Sequence, residues 1–327
     1  MELVTELTKL GADVNLCNNY GLSPLCFASQ FGHKKIVKFL LQNNAEINVG
    51  ASCLSFACES GHLDLVKFLI DKIDVNKVNN NCYPALTSAS CQGHLDIVEY
   101  LVEHGAEVNL MSSYNVNPLY SATAYGQIHI IRYLVEHGAD INQGSSCDMN
   151  GSPLCCASSK GYLEIVRELI KLGADVNLCN LKGHSPLCYA SRYGHLEIVK
   201  FLLHNDADIN IGASCLSSAC KGGHLNVVKF LIDKMDVNNV SDICDPPLHC
   251  ASVQGHIEVI EYLVENGADV NLLSSSKDSP LCCAVENGHF PIVECLVKHG
   301  SDINKAVEIA MECGQEVILD YMLKHLN

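Results

Sequence analysis

The sequence predicts an all-α solenoid built from stacked helix pairs, and two observations lead to this prediction. First, residues 11–142 return without a gap at residues 173–304, and 81 of the 132 compared positions are identical. Second, this block is itself periodic, because a Gly that is usually followed by His recurs every 26 to 35 residues. Units of this length cannot bury their apolar surface alone and must stack on their neighbours.

Residues 178–210 show how each element of a unit is predicted. Ser185 and Pro186 can begin a first helix, because Ser caps free N–H groups and Pro is tolerated at the first helical position. Gly194 can end that helix in the left-handed conformation. His195 begins a second helix with apolar residues at helical spacing, followed by ADIN and a turn. Each unit is therefore predicted to hold two helices and a longer loop.

The composition narrows the possible partners and the compartment. The net charge of −16 is spread evenly and no basic patch is visible in the sequence, so neither nucleic acid nor an anionic membrane is expected as a partner. No apolar run reaches the length of a membrane span, and the first residues lack the features of a secretory signal. Many of the 19 Cys lie at apolar or small positions of the helical pattern, which indicates free thiols in a reducing, cytoplasmic compartment.

No sequence motif predicts catalysis, a metal site or a cofactor. The cysteines lack the spacing of zinc ligands, and the known nucleophile, metalloprotease and nucleotide-binding patterns are missing. Seven His residues follow the recurrent Gly, and we expect them to begin the second helices and to bond to the neighbouring turn. They are His33, His62, His94, His195, His224, His256 and His289. The chain is therefore predicted not to be an enzyme.

The repeated residues resemble the ankyrin repeat. The match is carried in one unit by Gly21-Leu22-Ser23-Pro24-Leu25, Ala28, Gly32-His33, Ile36-Val37, Leu40-Leu41, Ala45 and Asn48. It covers nearly the whole chain and implies a single ankyrin-repeat domain over residues 1–327, with nine repeats at 17–304. Residues 1–16 correspond to a partial repeat, as in a fragment of a longer array, and residues 305–327 correspond to a capping helix pair. The resemblance also implies short β-hairpin loops and a curved, elongated array. The units opening at Ala51 and Ala213 lack four hairpin residues, so we expect short loops there.

The resemblance places the usual contact positions at the loop tips and at the ends of the first helices, on a concave face. These positions are mostly aromatic or apolar in copy one and mostly polar or charged in copy two, and none of eleven compared pairs is identical. Exposed positions of the second helices are retained instead. The candidate partner-binding residues are Tyr20, Leu22, Phe31, Phe56, Tyr83, Tyr114, Val116, Tyr125, Lys182, Arg192 and Tyr193.

These observations predict a monomeric module that binds a protein partner on the concave face and needs no cofactor. Two alternatives remain open: a structural spacer or spring without a ligand, and a substrate-recruiting arm of a larger protein. Drift at positions that the fold does not constrain would also make the two copies diverge. The resemblance further implies that Asn177 and Asn271 are possible targets of an asparaginyl hydroxylase.

Overall fold

The computed structural model describes residues 1–47, 53–78, 83–144, 151–239 and 244–325. The regular secondary structure in these residues is helical, and none of them forms a strand. A short 3-10 helix at Ile70–Lys72 accompanies the α-helices. The α-helices are α1 (Glu2–Lys9), α2 (Pro24–Gln30), α3 (Lys34–Gln42), α4 (Cys53–Glu59), α5 (Leu63–Leu69), α6 (Ala85–Gln92), α7 (Leu95–Glu103), α8 (Pro118–Ala124), α9 (Ile128–Glu136), α10 (Pro153–Lys160), α11 (Leu163–Lys171), α12 (Pro186–Arg192), α13 (Leu196–His204), α14 (Cys215–Gly222), α15 (Leu225–Ile232), α16 (Pro247–Gln254), α17 (Ile257–Glu265), α18 (Pro280–Glu286), α19 (Phe290–Lys298), α20 (Asn304–Glu312) and α21 (Glu316–Leu323).

From α2 onward the helices alternate between the first and the second helix of a unit, as the sequence predicts. The chain forms two compact parts: residues 1–156 with 167–174, and residues 157–166 with 175–327. In the first part, the first helices α2, α4, α6 and α8 pack in succession. In the second part, α12, α14, α16, α18 and α20 do the same, and the second helices α13 to α21 pack beside them.

Several first helices begin at polar caps, whereas α6 and α16 begin after Pro84 and Pro246 without a side-chain cap. The Ser185 hydroxyl accepts a hydrogen bond from the Cys188 N–H at 3.3 Å, and Pro186 occupies the first helical position. Ser23, Ser279 and Asn117 cap their helices in the same way. This confirms the predicted helix start, because a capping oxygen satisfies one of the free N–H groups.

A Gly follows most first helices and packs against a side chain of the next unit, which is usually a His but is Gln127 at Gly93 and Gln315 at Gly288. Gly194 has φ of 78°, and a Cβ there would overlap the His224 imidazole. The ring nitrogen Nε2 of His195 donates to the Ser159 carbonyl oxygen at 3.1 Å, and His62 Nε2 donates to the Gln30 carbonyl at 3.0 Å. These contacts, together with the same bonds of His94, His256 and His289, confirm the structural role predicted for these five His residues.

The loops of successive units are joined by Asn side chains. Asn177 Nδ2 donates to the Asp206 carbonyl oxygen at 3.2 Å, and Asn177 Oδ1 accepts from the Asp208 N–H at 2.8 Å. Since the amide both donates and accepts, it holds two neighbouring loops in register. The same pair of bonds is made by Asn15, Asn76, Asn109, Asn238 and Asn271.

The loop tips are tight turns. The Asn18 N–H donates to the Leu22 carbonyl oxygen at 3.0 Å, and Asn180 pairs with His184 in the same way. In the part of the chain that the structure describes, no extended strand continues from these turns.

Short loops are predicted at Ala51 and Ala213. The loop at Ala51 lies outside the described residues. Residues 205–214, which separate α13 from α14, are four fewer than residues 172–185 between α11 and α12.

The core is made of aliphatic side chains and thiols. Val199 and Leu202 of α13 and Ala190 of α12 are fully buried. All 17 cysteines within the described ranges are free, and most are buried. Of the helices described, none is long and apolar enough to cross a membrane.

Candidate functional site

Three of the predicted contact residues, Tyr83, Tyr114 and Tyr125, form a cluster that we call the tyrosine cluster. Tyr83 lies just before α6, Tyr114 lies in the loop tip before α8, and Tyr125 follows the last residue of α8. The rings of Tyr83 and Tyr114 meet edge to face with their centroids 5.4 Å apart. Tyr114 and Tyr125 remain 48% and 59% exposed, so the cluster presents aromatic surface to solvent.

Polar groups tie Tyr125 to its surroundings. It lies close enough to the thiol of Cys91, near the end of α6, for each group to shift the pKa of the other. The pKa of Tyr125 is raised by the negative charge of an ionised Cys91 and then by burial, while the charges of Tyr83 and Glu59 act in the same direction. Burial raises the pKa of Tyr83 as well. The surroundings therefore disfavour ionisation of these side chains.

Among the described residues, the other predicted aromatic residues of copy one form no ring pair with this cluster. Tyr20 and Phe31 are 80% and 63% exposed, and Phe31 stacks on His33 with ring centroids 6.3 Å apart. Leu22, Phe56 and Val116 are only partly exposed. The structure thus brings three of the predicted aromatic residues together and leaves two as separate exposed rings.

In copy two, three cations surround His184. Lys182 is exposed in the loop tip before α12, Arg192 is the last residue of α12, and Lys221 is exposed near the end of α14. The pKa of His184 is lowered by burial and then by the positive charges of Arg192, Lys221 and Lys182. We call these three cations the basic cluster. Tyr193, the remaining predicted residue, follows Arg192 and is 48% exposed.

Sequence reasoning missed Lys221 and Glu59. Each occupies the same position near the end of a first helix, and the duplication aligns them 162 residues apart. Glu59 acts electrostatically on Tyr125, and Lys221 acts on His184, so both belong to the face that the predicted residues define. The charge reversal between the two positions is the signal in the sequence that could have found them.

The side-chain amides of Asn177 and Asn271 are already engaged. Asn271 Nδ2 donates to the Gly300 carbonyl at 3.2 Å, and its Oδ1 accepts from the Asp302 N–H at 2.8 Å, as in the Asn177 bridge. Hydroxylation at Asn177 and Asn271 stays a prediction. A modifying enzyme would have to act on a side chain that holds two loops together.

One buried pair combines groups that catalysis often uses. His249 Nε2 lies 3.1 Å from the thiol sulfur of Cys283, and His249 Nδ1 lies 3.8 Å from an Asp245 carboxylate oxygen. Both His249 and Cys283 are only 6% exposed. Burial raises the pKa of Cys283 to about 12, so the thiol keeps its proton and lacks the nucleophilic form. The described residues contain no group of three ligands placed to hold a metal ion.

Comparison with protein families agrees with this architecture. A model of three ankyrin repeats matches residues 1–79, 54–145, 143–213 and 211–274, and a model of a single ankyrin repeat matches residues 276–307. The chain therefore belongs to the ankyrin repeat family. Ankyrin repeats are generally protein–protein interaction modules and generally non-enzymatic scaffolds. The comparison with individual curated proteins found no match.

Proposed function

We propose that this chain binds a protein partner on the face made by the loop tips and the ends of the first helices, with the tyrosine cluster as the main anchor. The observation that carries the proposal is the edge-to-face pair of Tyr83 and Tyr114, with Tyr125 nearby, in which Tyr114 and Tyr125 expose about half of their surface. Aromatic side chains dominate the energetics of protein interfaces, at ~2 kcal/mol or more for a true hot spot.

The opposite side of the helix pairs supports the proposal, because its conserved exposed residues have a structural explanation. Lys67 Nζ lies 5.4 Å from the centroid of the Tyr100 ring in the next unit, and its copy-two counterpart Lys229 lies 5.2 Å from the Tyr262 ring. Such cation–π contacts join neighbouring second helices and give a reason to keep these residues. In copy two, the counterparts of the tyrosine cluster are Asp245, Ser276 and Asn287. The fold therefore does not require aromatic residues at these three positions.

We further propose that the module acts as a monomer without a cofactor in a reducing, cytoplasmic compartment. The free, mostly buried thiols support this compartment, since oxidising compartments favour disulfides.

The test replaces the tyrosine cluster. A variant with Tyr83→Ala, Tyr114→Ala and Tyr125→Ala is compared with the intact chain by affinity capture from the native cell and quantitative mass spectrometry. We expect a partner retained by the intact chain to be depleted about tenfold or more, because truncating interface aromatics removes most of the binding energy.

A variant with Tyr100→Ala and Tyr133→Ala on the second helices is the matched control. It removes aromatic area of the same kind from the other side, and it should retain the partner. Thermal unfolding of all three proteins checks that the variants are folded. A folded cluster variant that captures the same proteins in the same amounts would remove the proposed anchor, and a spacer without a ligand would give that outcome.

A further inference from the structure

The fold brings together three cations from two successive units, with Lys182 and Arg192 in one and Lys221 in the next. The Asn180 side-chain oxygen accepts from the N–H groups of Lys182 and His184 at 3.0 and 2.9 Å, which fixes the tip that carries Lys182. α12 packs on α14, and the backbone of Gly222, next to Lys221, lies directly against the carbonyl of Arg192. The ends of the two helices that carry Arg192 and Lys221 therefore adjoin each other.

The basic cluster has no counter-charge of its own. Across the described ranges, no carboxylate lies within 4 Å of Lys182, Arg192 or Lys221. The chain has 37 acidic and 21 basic residues, so an unpaired group of three cations is unexpected by composition. The three positive charges repel one another, and an anionic ligand would reduce this repulsion.

The duplication shows that the cluster is specific to copy two. Its counterparts in copy one are Tyr20, Gln30 and Glu59, so the formal charge of these three positions is −1 in one copy and +3 in the other. The framework that carries them is the same in both copies. A change of four charge units at adjoining positions on one face indicates a different ligand chemistry rather than a different fold.

We propose that the basic cluster binds an acidic segment of a protein partner, whose carboxylate or phosphate groups pair with Arg192, Lys182 and Lys221. Arg192 offers the planar fork that suits two-point binding of such groups. Tyr193 and Leu181, which are 48% and 96% exposed, provide apolar contact beside the charges. A long polyanion such as nucleic acid is disfavoured, because the chain as a whole carries a charge of −16.

This proposal rests on the proposed function in one respect, since the ligand is a protein segment. It uses a site separate from the tyrosine cluster, so the two can fail independently. The variant lacking the three tyrosines of the cluster should bind an acidic peptide as the intact chain does, and loss of that binding would contradict the assignment to the basic cluster.

The test uses the whole chain and three fluorescent peptides of one short, Leu-containing sequence: one with Glu at alternate positions, one with Gln there, and one with phosphoserine there. Fluorescence anisotropy gives the dissociation constants at low and at physiological salt. We expect the Glu or the phosphoserine peptide to bind about tenfold or more tightly than the Gln peptide, with the difference shrinking as salt screens the charges. The stronger of the two charged peptides tells whether the natural segment carries carboxylates or phosphates.

The key variant takes its residues from copy one: Lys182→Tyr, Arg192→Gln and Lys221→Glu. The control variant, Lys200→Gln, Lys229→Gln and Lys234→Glu, makes the same change of net charge on the second helices α13 and α15 and just after α15. We expect the first variant to lose about tenfold or more in affinity for the charged peptides and the control to change by about twofold at most. The reverse graft, Tyr20→Lys, Gln30→Arg and Glu59→Lys, should create charged-peptide binding in copy one, so the proposal does not depend on a loss of function alone.

Three results would overturn the proposal. The first is equal binding of the Glu, phosphoserine and Gln peptides. The second is an equal loss of affinity in the control variant, which would indicate a general charge effect. The third is tighter binding of a short single-stranded DNA than of either charged peptide, which would make the cluster a nucleic-acid site.

Discussion

Arg132 and Glu168 form a two-point ion pair that has no counterpart in the other copy. Arg132 Nε lies 2.7 Å from one Glu168 carboxylate oxygen, and Nη2 lies 2.9 Å from the other. Glu168 is 8% exposed, and it lies in the segment between the two copies, which the duplication does not include. The hydrogen bond from Arg132 lowers the pKa of Glu168 against the effect of burial. This pair therefore links stability to pH.

We predict that Arg132→Ala destabilises the chain at neutral pH and that the difference from the intact chain disappears in acid. Because the pKa of Glu168 is lower in the folded state than its unfolded value of about 4.3, the stabilisation is complete above that value. It is lost as the pH falls through the lower, folded pKa. Urea unfolding from about pH 6 down to about pH 3 measures both free energies.

Lys200→Ala is the control for this series. Lys200 also pairs with a carboxylate, that of Glu197 at 2.8 Å, but both side chains are exposed, and exposed pairs contribute little. A pH-independent difference for Arg132→Ala would show that its effect comes from lost packing and not from the ion pair.

At the scale of elements, the junction between first and second helices depends on one Gly and on the His of the next unit. Gly194 needs the left-handed conformation, and the His224 ring occupies the space where a Cβ would stand. Gly267, which follows α17, has φ of 84° and no heavy atom within 4 Å of such a Cβ. The two glycines share the backbone requirement but differ in their surroundings.

We predict that Gly194→Ala costs more stability than Gly267→Ala. The left-handed conformation alone costs a non-Gly residue about 1 to 2 kcal/mol, which both variants incur. Gly194→Ala adds the displacement of the His224 imidazole, so we expect a further loss of about 1 kcal/mol or more. Urea unfolding measures the two free energies, and equal losses would contradict the role given to the ring.

The elements could be predicted well because their signals are local. Ser185 and Pro186 mark a helix start, and Gly194 and His195 mark the next junction, all within a few residues of the structure they specify. The loops were predicted less well, since a tip such as Asn18–Leu22 closes by a single turn and forms no strand. Whether strands pair beyond the turn depends on tertiary contacts, and the local sequence pattern does not contain this information.

The candidate site could be predicted only in part, again because it depends on tertiary contacts. Tyr83 and Tyr114 are 31 residues apart in the chain, and only stacking of units places their rings 5.4 Å apart. Lys221 joins Arg192 across two packed helices, although no sequence pattern connects them. A repeat fold makes single contact positions predictable, while the clusters that they form depend on how neighbouring units pack.

At the scale of the whole molecule, the cysteines serve as packing residues. Burial raises the pKa of Cys53 to about 12, and it raises the pKa of the fully buried Cys58 further. Cys313, in contrast, is exposed. The half-buried Cys244 has a lowered pKa because the Cys250 thiol hydrogen-bonds to its charged form. Reactivity should therefore be limited to a few thiols.

We predict that brief alkylation of the native chain with iodoacetamide near pH 7 labels Cys313 and Cys244 first, because the thiolate is the reactive form and access limits the rest. Cys53, Cys58 and Cys220 should stay unlabelled until the chain is unfolded in urea. Mass spectrometry of the digested protein gives the extent of labelling at each position. Equal rates for Cys58 and Cys313 in the native chain would contradict the packing role.

The repeated Gly-His junction has a consequence for the gene. The distance from Gly32 to Gly194 equals the 162-residue offset of the duplication, so recombination between the copies would join Gly32 directly to His195. The joined chain would regain the same Gly-His sequence at the junction and would shorten by whole units, without a broken helix. A single recombination event can therefore change the number of units. Each such event would also combine binding residues of one copy with binding residues of the other.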